Sequence, residues 1–201
     1  MKGEEDASAA DRDGQLIAGI ATGDRRAFRS FFDTYGPRIF RYAVRTIGDV
    51  GKAEEVTNDV MIEVWKNAAR FERRSSVSTW IIGIARHKSL NAIRGKQLVT
   101  VDIADVAEHV SDDGASIESG EAEIDRAEMR RVLRAAVAKL SPEHRDVVEL
   151  TFFHGHSYEE IAQIVGCPEN TVKTRMFHAK RQLKALLGER AARAFDFGAV
   201  A

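Results

Sequence analysis

The stretch Ser157 to Leu187, SYEEIAQIVGCPENTVKTRMFHAKRQLKALL, constrains the fold more than any other part of the chain. Ser157 and Glu160 stand in S-x-x-E spacing, a capping box in which two orphan N–H groups of a first helical turn are satisfied reciprocally. Ile161, Ala162, Ile164 and Val165 then form one apolar face. Gly166 ends that helix, because it takes a positive φ without a Cβ clash. Pro168 restarts a helix at a position where a missing N–H is harmless. Val172, Met176, Ala179 and Leu183 step by four, three and four, which is one buried stripe. The other faces carry Lys173, Thr174, Arg175, His178, Lys180, Arg181 and Lys184, with no acid from Thr171 to Gly188. A short capped helix leading into a basic helix is the helix-turn-helix pattern, whose second helix enters the DNA major groove. The competing reading is a helical hairpin with a solvated basic face. The turn chemistry, the small Ala162 and the one-signed charge favour DNA.

Charge segregates along the chain, although the net charge is only −1. The segment 98–125 carries Asp102, Asp105, Glu108, Asp112, Asp113, Glu118, Glu121, Glu123 and Asp125 and no Lys or Arg. The segment 66–97 carries Lys66, Arg70, Arg73, Arg74, Arg86, Lys88, Arg94 and Lys96 against the single acid Glu72. Phosphate binding responds to such local charge and not to the total. No run of apolar residues is long enough for a membrane span, so no membrane insertion is expected. The single cysteine, Cys167, excludes an intrachain disulfide framework and fits a reducing cytoplasm. The acidic, polar start MKGEEDASAADRDG does not read as a signal peptide.

With 201 residues, one or two domains are expected, with room for two small cores. Residues 1–13 are expected to be disordered, with a short helix beginning near Gln15. Asp24 is a candidate N-cap for a helix rich in aromatics, Phe28 to Val44, that Gly36-Pro37 is expected to kink or break. Asp49 opens a helix to about Ala69, with Ala53, Val56, Val60, Val64 and Ala68 on one stripe. Trp80 to Gly95 forms another, with Ile81, Ile84, Ala85, Leu90 and Ile93 expected to be buried. The acidic segment 98–125 reads as a flexible linker, or else as an acidic helix. A second helical domain follows. Its first helix ends near Lys139, with Met129, Val132, Leu133, Ala136, Val137 and Leu140 on the apolar face. Ser141-Pro142-Glu143 caps the next, Arg145 to Phe153. The fold class is therefore all-α, with two small helical domains joined by a flexible acidic linker.

Three segments in this order resemble an extracytoplasmic-function (group IV) sigma factor of bacterial RNA polymerase. AEEVTNDVMIEVWKNAARF, Ala53 to Phe71, is similar to the helix of regions 2.1–2.2 that docks on the polymerase clamp. SSVSTWIIGIARHKSLNAIR, Ser75 to Arg94, is similar to regions 2.3–2.4 with their S-T-W-(x)₃-I-A signature. Leu140 to Leu183 resembles region 4. The resemblance implies a region 2 bundle over 14–97, the linker over 98–125, region 4 over 126–190 and a tail over 191–201. It implies core RNA polymerase and promoter DNA as partners, recognition of −10 and −35 elements with promoter melting, and control by an anti-sigma factor. It implies no cofactor.

Residue by residue, the acidic face of Glu54, Glu55, Asn58, Asp59 and Glu63 suits a basic protein partner, and the resemblance assigns it, with Trp65, to core polymerase. Around Trp80, which reads mostly as core, Arg73, Arg74, Lys88, Arg94 and Lys96 supply a basic track for a melted strand. Ser78, Thr79, His87 and Asn91 supply hydrogen bonds to −10 bases. His87 stands where relatives commonly carry Asn. In the recognition helix, Asn170, Lys173, Thr174, Phe177 and His178 occupy the face presented to the −35 element. Lys173 suits guanine or phosphate and Thr174 either base. Phe177 either touches a thymine methyl or packs inward. Arg175 and Arg181, with Lys180 and Lys184, read as phosphate contacts that set register.

Other functions are weaker readings. His154, His156 and Cys167 invite a zinc site, but three residues without a C-x₂-C or H-x₃-H pair fall short of the usual ligand set. Cys167 reads better as a small residue at a turn. No nucleophile elbow, Walker loop or HExxH occurs, and no enzyme is expected. A stand-alone helix-turn-helix regulator with an N-terminal interaction domain, and a protein that only sequesters polymerase, remain as rivals. The first predicts tight operator binding without polymerase; the second predicts no transcription from a cognate promoter.

Overall fold

A computed structural model describes the backbone of residues 2–94 and 131–194 and the side chains of residues 11–94 and 131–187. The expected linker, together with Lys96, Met129 and residues 195–201, lies outside the described residues. Among the described residues the secondary structure is helical and no strand occurs. The chain divides into two compact units, Met1–Asp102 and Ile103–Ala201.

In the first unit, α1 (Lys2–Ala21), α2 (Arg25–Ile47), α3 (Val50–Asn67) and α4 (Val77–Arg94) pack pairwise around one core. Local chemistry sets the ends. The Asp24 side chain accepts from the Arg26 N–H at 2.7 Å, and the Asp49 side chain accepts from the Lys52 N–H at 3.1 Å. Each thus satisfies a first-turn donor. Gly48 ends α2 at φ 72°, a left-handed turn that a Cβ would oppose. The α3 stripe is buried as expected: Ala53, Val60 and Val64 are fully enclosed, and Val56 and Ala68 nearly so.

Three expectations fail in this unit. First, α1 begins at Lys2, not near Gln15, so the stretch 2–13 is helical where disorder was expected. Alanine-rich sequence favours the helix. Asp13 anchors it by accepting the Tyr35 hydroxyl of α2. Second, α2 runs unbroken through Pro37. An internal proline removes one donor and crowds the preceding turn, at a cost of about 3 kcal/mol. Burial of the flanking Tyr35, Gly36 and Ile39 offsets it. Third, the buried row of α4 is Val77, Ile81, Ala85 and Ser89, with Thr79 and Ile82 beside it. Ile84 and Leu90 are only half-buried, and Ile93 is 39% exposed. Contact with both α2 and α3 selects the four-residue row, and Ile93 lies beyond the last packed turn.

In the second unit, α5 (131–138) buries Leu133, Ala136, Val137 and, just past its end, Leu140. Val132, expected on that face, is 40% exposed. The Ser141 side chain accepts from the His144 N–H at 3.4 Å and caps α6 (Pro142–Val148), which continues as a π turn over Glu149–Phe153. The Arg145 guanidinium donates to the Ala138 and Leu140 carbonyls, satisfying acceptors at the end of α5. Then come α7 (Tyr158–Val165) and α8 (Glu169–Ala194), which pack on each other, with α6 also against α8. Both limbs of the capping box are present: the Glu160 N–H donates to Ser157 Oγ at 3.2 Å, and the Ser157 N–H to Glu160 Oε2 at 3.0 Å. Gly166 ends α7 at φ 70°, and its N–H and that of Cys167 both donate to the Ala162 carbonyl. Pro168 sits one step before α8, not inside its first turn. Its carbonyl accepts from the Thr171 and Val172 N–H groups.

Two outcomes follow from these contacts. Burial, and then Asp13, push the Tyr35 hydroxyl pKa above the ordinary tyrosine range. The folded chain thus favours the protonated phenol. That stability is complete below about pH 10, the unfolded value, and is lost as pH rises above it. Tyr35→Phe should flatten this alkaline loss in thermal melts taken across that range. Ser157→Ala should lower the stability of the second unit by about 1 kcal/mol in urea unfolding, because it removes an N-cap.

Candidate nucleic-acid interface

Burial of one row of α8 determines which side chains the helix presents. Val172, Met176, Ala179 and Leu183 are 0%, 1%, 0% and 2% exposed. Asn170, Lys173, Thr174, Phe177 and Arg181 are consequently exposed, and Arg175 and His178 are half-buried. Phe177 is 64% exposed, which removes inward packing as its role.

Several of these side chains are held in place by neighbours. Lys173 Nζ pairs with Glu169 at 2.8 Å, and the Thr174 hydroxyl donates to the Asn170 carbonyl at 2.9 Å. Arg175 Nη1 points at Cys167 Sγ, 3.8 Å away. The His178 ring stacks on the His144 ring with centroids 6.2 Å apart, and Phe177 meets His178 edge-on at 5.5 Å. His144, at the start of α6, was not legible as a site residue, since only the packing of α6 on α8 brings it there. Beside it, the Glu143 carboxyl is held below its ordinary pKa, first by its own backbone N–H and then by the Ser141 hydroxyl.

In the first unit, α4 carries the second expected set. Ser76 caps it: Ser76 Oγ accepts from the Thr79 N–H at 3.1 Å and bonds the Thr79 hydroxyl at 2.8 Å. Thr79 is therefore only 3% exposed, and its hydroxyl serves the cap instead of facing a base. Ser78 and Trp80 are half-buried, and the Trp80 ring lies 4.9 Å from that of Phe71. His87 and Asn91 are exposed and hydrogen-bonded to each other, Nε2 to Nδ2 at 3.3 Å. Arg94 is exposed at the end of the helix. Arg73 and Arg74 are exposed in the preceding loop, where Arg73 adopts φ 55° and lies over Gly14, and Arg74 pairs with Glu72 at 2.5 Å.

The acidic helix α3 shows two different edges. Glu54, Asn58 and Trp65 lie along one, with Trp65 38% exposed and its ring 5.1 Å from Phe28. Ile62, which the sequence did not single out, joins them at 50% exposed. Glu55 and Asp59 lie along the other and line a cleft with Lys52, Val56, His87, Lys88, Asn91 and Ala92. On that edge Glu63 pairs with Lys88 of α4 at 2.8 Å. Two sets expected to act separately thus meet across one cleft.

The histidines near Cys167 have other partners. His154 and His156 are 7% and 4% exposed, and His156 Nδ1 lies 3.5 Å from the Glu160 carboxylate of the capping box. No group of three or more His, Cys, Asp or Glu among the described residues could hold a metal ion. No helix among them is long and apolar enough to cross a membrane.

Comparison with known proteins agrees with this geometry. Residues 31–99 match Sigma-70 region 2, and residues 130–183 match Sigma-70, region 4. The chain is 30% identical over 182 residues to the RNA polymerase sigma-H factor of Pseudomonas aeruginosa, covering 88% of this chain and 94% of that protein. It is 27% identical over 174 residues to the ECF RNA polymerase sigma factor SigL of Mycobacterium tuberculosis, covering 86% and 96%. Among solved structures it is similar to the sigma factor RpoE of Bartonella quintana, crystallised with the anti-sigma factor NepR. That likeness has a TM-score of 0.59 at 25% identity, and covers 81% of this chain and 97% of that one. Two matched regions in this order, on a chain whose described residues are helical, place the protein in the extracytoplasmic-function group of the sigma-70 family of RNA polymerase sigma factors.

Proposed function

We propose that this sigma factor joins core RNA polymerase through α3 and reads promoter DNA through α4 and α8. The carrying observation is the exposed row of α8, Asn170, Lys173, Thr174, Phe177 and Arg181, opposite a fully buried row. That row reads the −35 element as duplex. Lys173 serves guanine or phosphate, Thr174 a base edge and Phe177 a thymine methyl. Arg175 and Arg181 set register on phosphates. His178 is steadied by its stack on His144.

The −10 element is read by α4 and its preceding loop. His87 and Asn91 face bases of the opened strand, whose unstacking costs a few kcal/mol that pocket contacts offset. Arg73, Arg74 and Arg94 follow its backbone, with Ser78 at the helix entrance. Thr79 contributes by shaping that entrance with Ser76. Core polymerase docks along Glu54, Asn58, Ile62 and Trp65, where acids flank exposed apolar surface, a pattern suited to a partner that is both basic and apolar. The protein acts where core polymerase acts, in the cytoplasm, and does no chemistry of its own. An anti-sigma partner that covers these faces is the expected control, in keeping with the RpoE–NepR complex.

Run-off transcription with core enzyme on a genomic library, with start sites mapped, tests this reading. A shared pair of upstream elements supports it. Tight operator binding in the absence of polymerase overturns it in favour of a stand-alone regulator. Within that assay, Asn91→Ala should lose selectivity mainly at one −10 position, by about 1–3 kcal/mol. Phe177→Ala should relax selectivity at one −35 position while leaving the fold's stability within about 0.5 kcal/mol, since an exposed side chain packs little. Lys184→Ala should weaken binding to all sequences alike and reduce the salt slope by about one.

A further inference from the structure

The acids of α3 fall into two groups that the sequence treated as one. Glu55, Asp59 and Glu63 follow each other at four-residue steps, so they share one edge of the helix. That edge faces α4: Glu55 and Asp59 line the cleft with His87, Lys88 and Asn91, and Glu63 holds the Lys88 ammonium at 2.8 Å. The pair is sheltered, with side chains 24% and 39% exposed for Lys88 and Glu63. An ion pair at this depth is less screened than one in open solvent. Lys52 on the same edge is the cleft's other cation.

We infer that the Glu55–Asp59–Glu63 edge is an intramolecular stand-in for nucleic acid, and that Glu63 is a positioning residue that acts on DNA reading through Lys88. In the free protein Glu63 neutralises Lys88 and the neighbouring carboxylates repel phosphates, which suppresses binding to irrelevant single strands. Lys88 reaches a strand only when the strand displaces Glu63. A correctly placed −10 strand, held by polymerase and by the other contacts of α4, supplies that exchange. This rests on the reading of α4 as the −10 helix, and it gives Glu63 a part in selectivity.

The test uses the full chain without polymerase and a labelled oligo(dT) as the probe, by fluorescence anisotropy across a salt series. Glu63→Gln should bind the probe about three- to tenfold more tightly, because one released cation adds one phosphate contact, and its salt slope should steepen by about one. The double variant should show no gain over Lys88→Gln. The exchange Glu63→Lys with Lys88→Glu restores the pair and guards against misfolding; it should bind as the original chain does. An unchanged oligo(dT) affinity in Glu63→Gln overturns the inference. Loss of affinity for core enzyme with no change on oligo(dT) overturns it too, and assigns Glu63 to docking. Failure of the wild-type chain to direct transcription with core enzyme would instead overturn the sigma-factor reading, independently of the oligonucleotide result.

Discussion

Burial of Val172, Met176, Ala179 and Leu183 under α6 and α7 is the constraint on which −35 recognition depends. A helix with one row fully enclosed cannot rotate about its axis without exposing that row, and Val172, Met176 and Leu183 are each worth on the order of 1.5–3 kcal/mol when enclosed. The rotation of α8 is thereby set, and with it the identity of the residues offered to a groove. The capping box and the left-handed turn at Gly166 fix where α7 stops and α8 begins. Specificity at the surface is in this sense a product of the core beneath it.

The same logic shapes the first unit with a different outcome. There, α3 and α4 are both buried on their inner rows and meet along their edges. Edge contact brings carboxylates and cations into one cleft. The polar residues of α4 thus carry internal partners: Lys88 with Glu63, His87 with Asn91, and Thr79 with Ser76. On the function we propose, binding DNA here means exchanging contacts, which makes affinity depend on how well a strand matches what it replaces. On α8 the analogous ties are looser, because Lys173–Glu169 is a surface pair worth little.

What was legible in the sequence was the chemistry that acts over a few residues. The caps at Asp24, Asp49, Ser141 and Ser157, the turn at Gly166 and the stripes of α3 and α8 all depend on neighbours within about a turn. The unbroken α2 was not legible, because the burial that outweighs Pro37 comes from other helices. Nor was the helical stretch 2–13, where the Asp13–Tyr35 bond ties together residues far apart in the chain. In the site, the exposed row of α8 followed from the stripe opposite it. The withdrawal of Thr79 did not, since it follows from Ser76 being the cap. His144 and Ile62 were missed for the same reason: one becomes a site residue through helix packing, and the other through the lack of it.

The central claim is that one promoter is held by α8 on its −35 duplex and by α4 on its opened −10 strand. Site-specific photocrosslinking in a complex of core enzyme, this chain and a mapped promoter tests it most directly. A crosslinker at position 177 should attach to the −35 duplex, and one at position 91 to the non-template strand of the −10 element. Crosslinks from either position to polymerase alone, with none to DNA, would contradict the account.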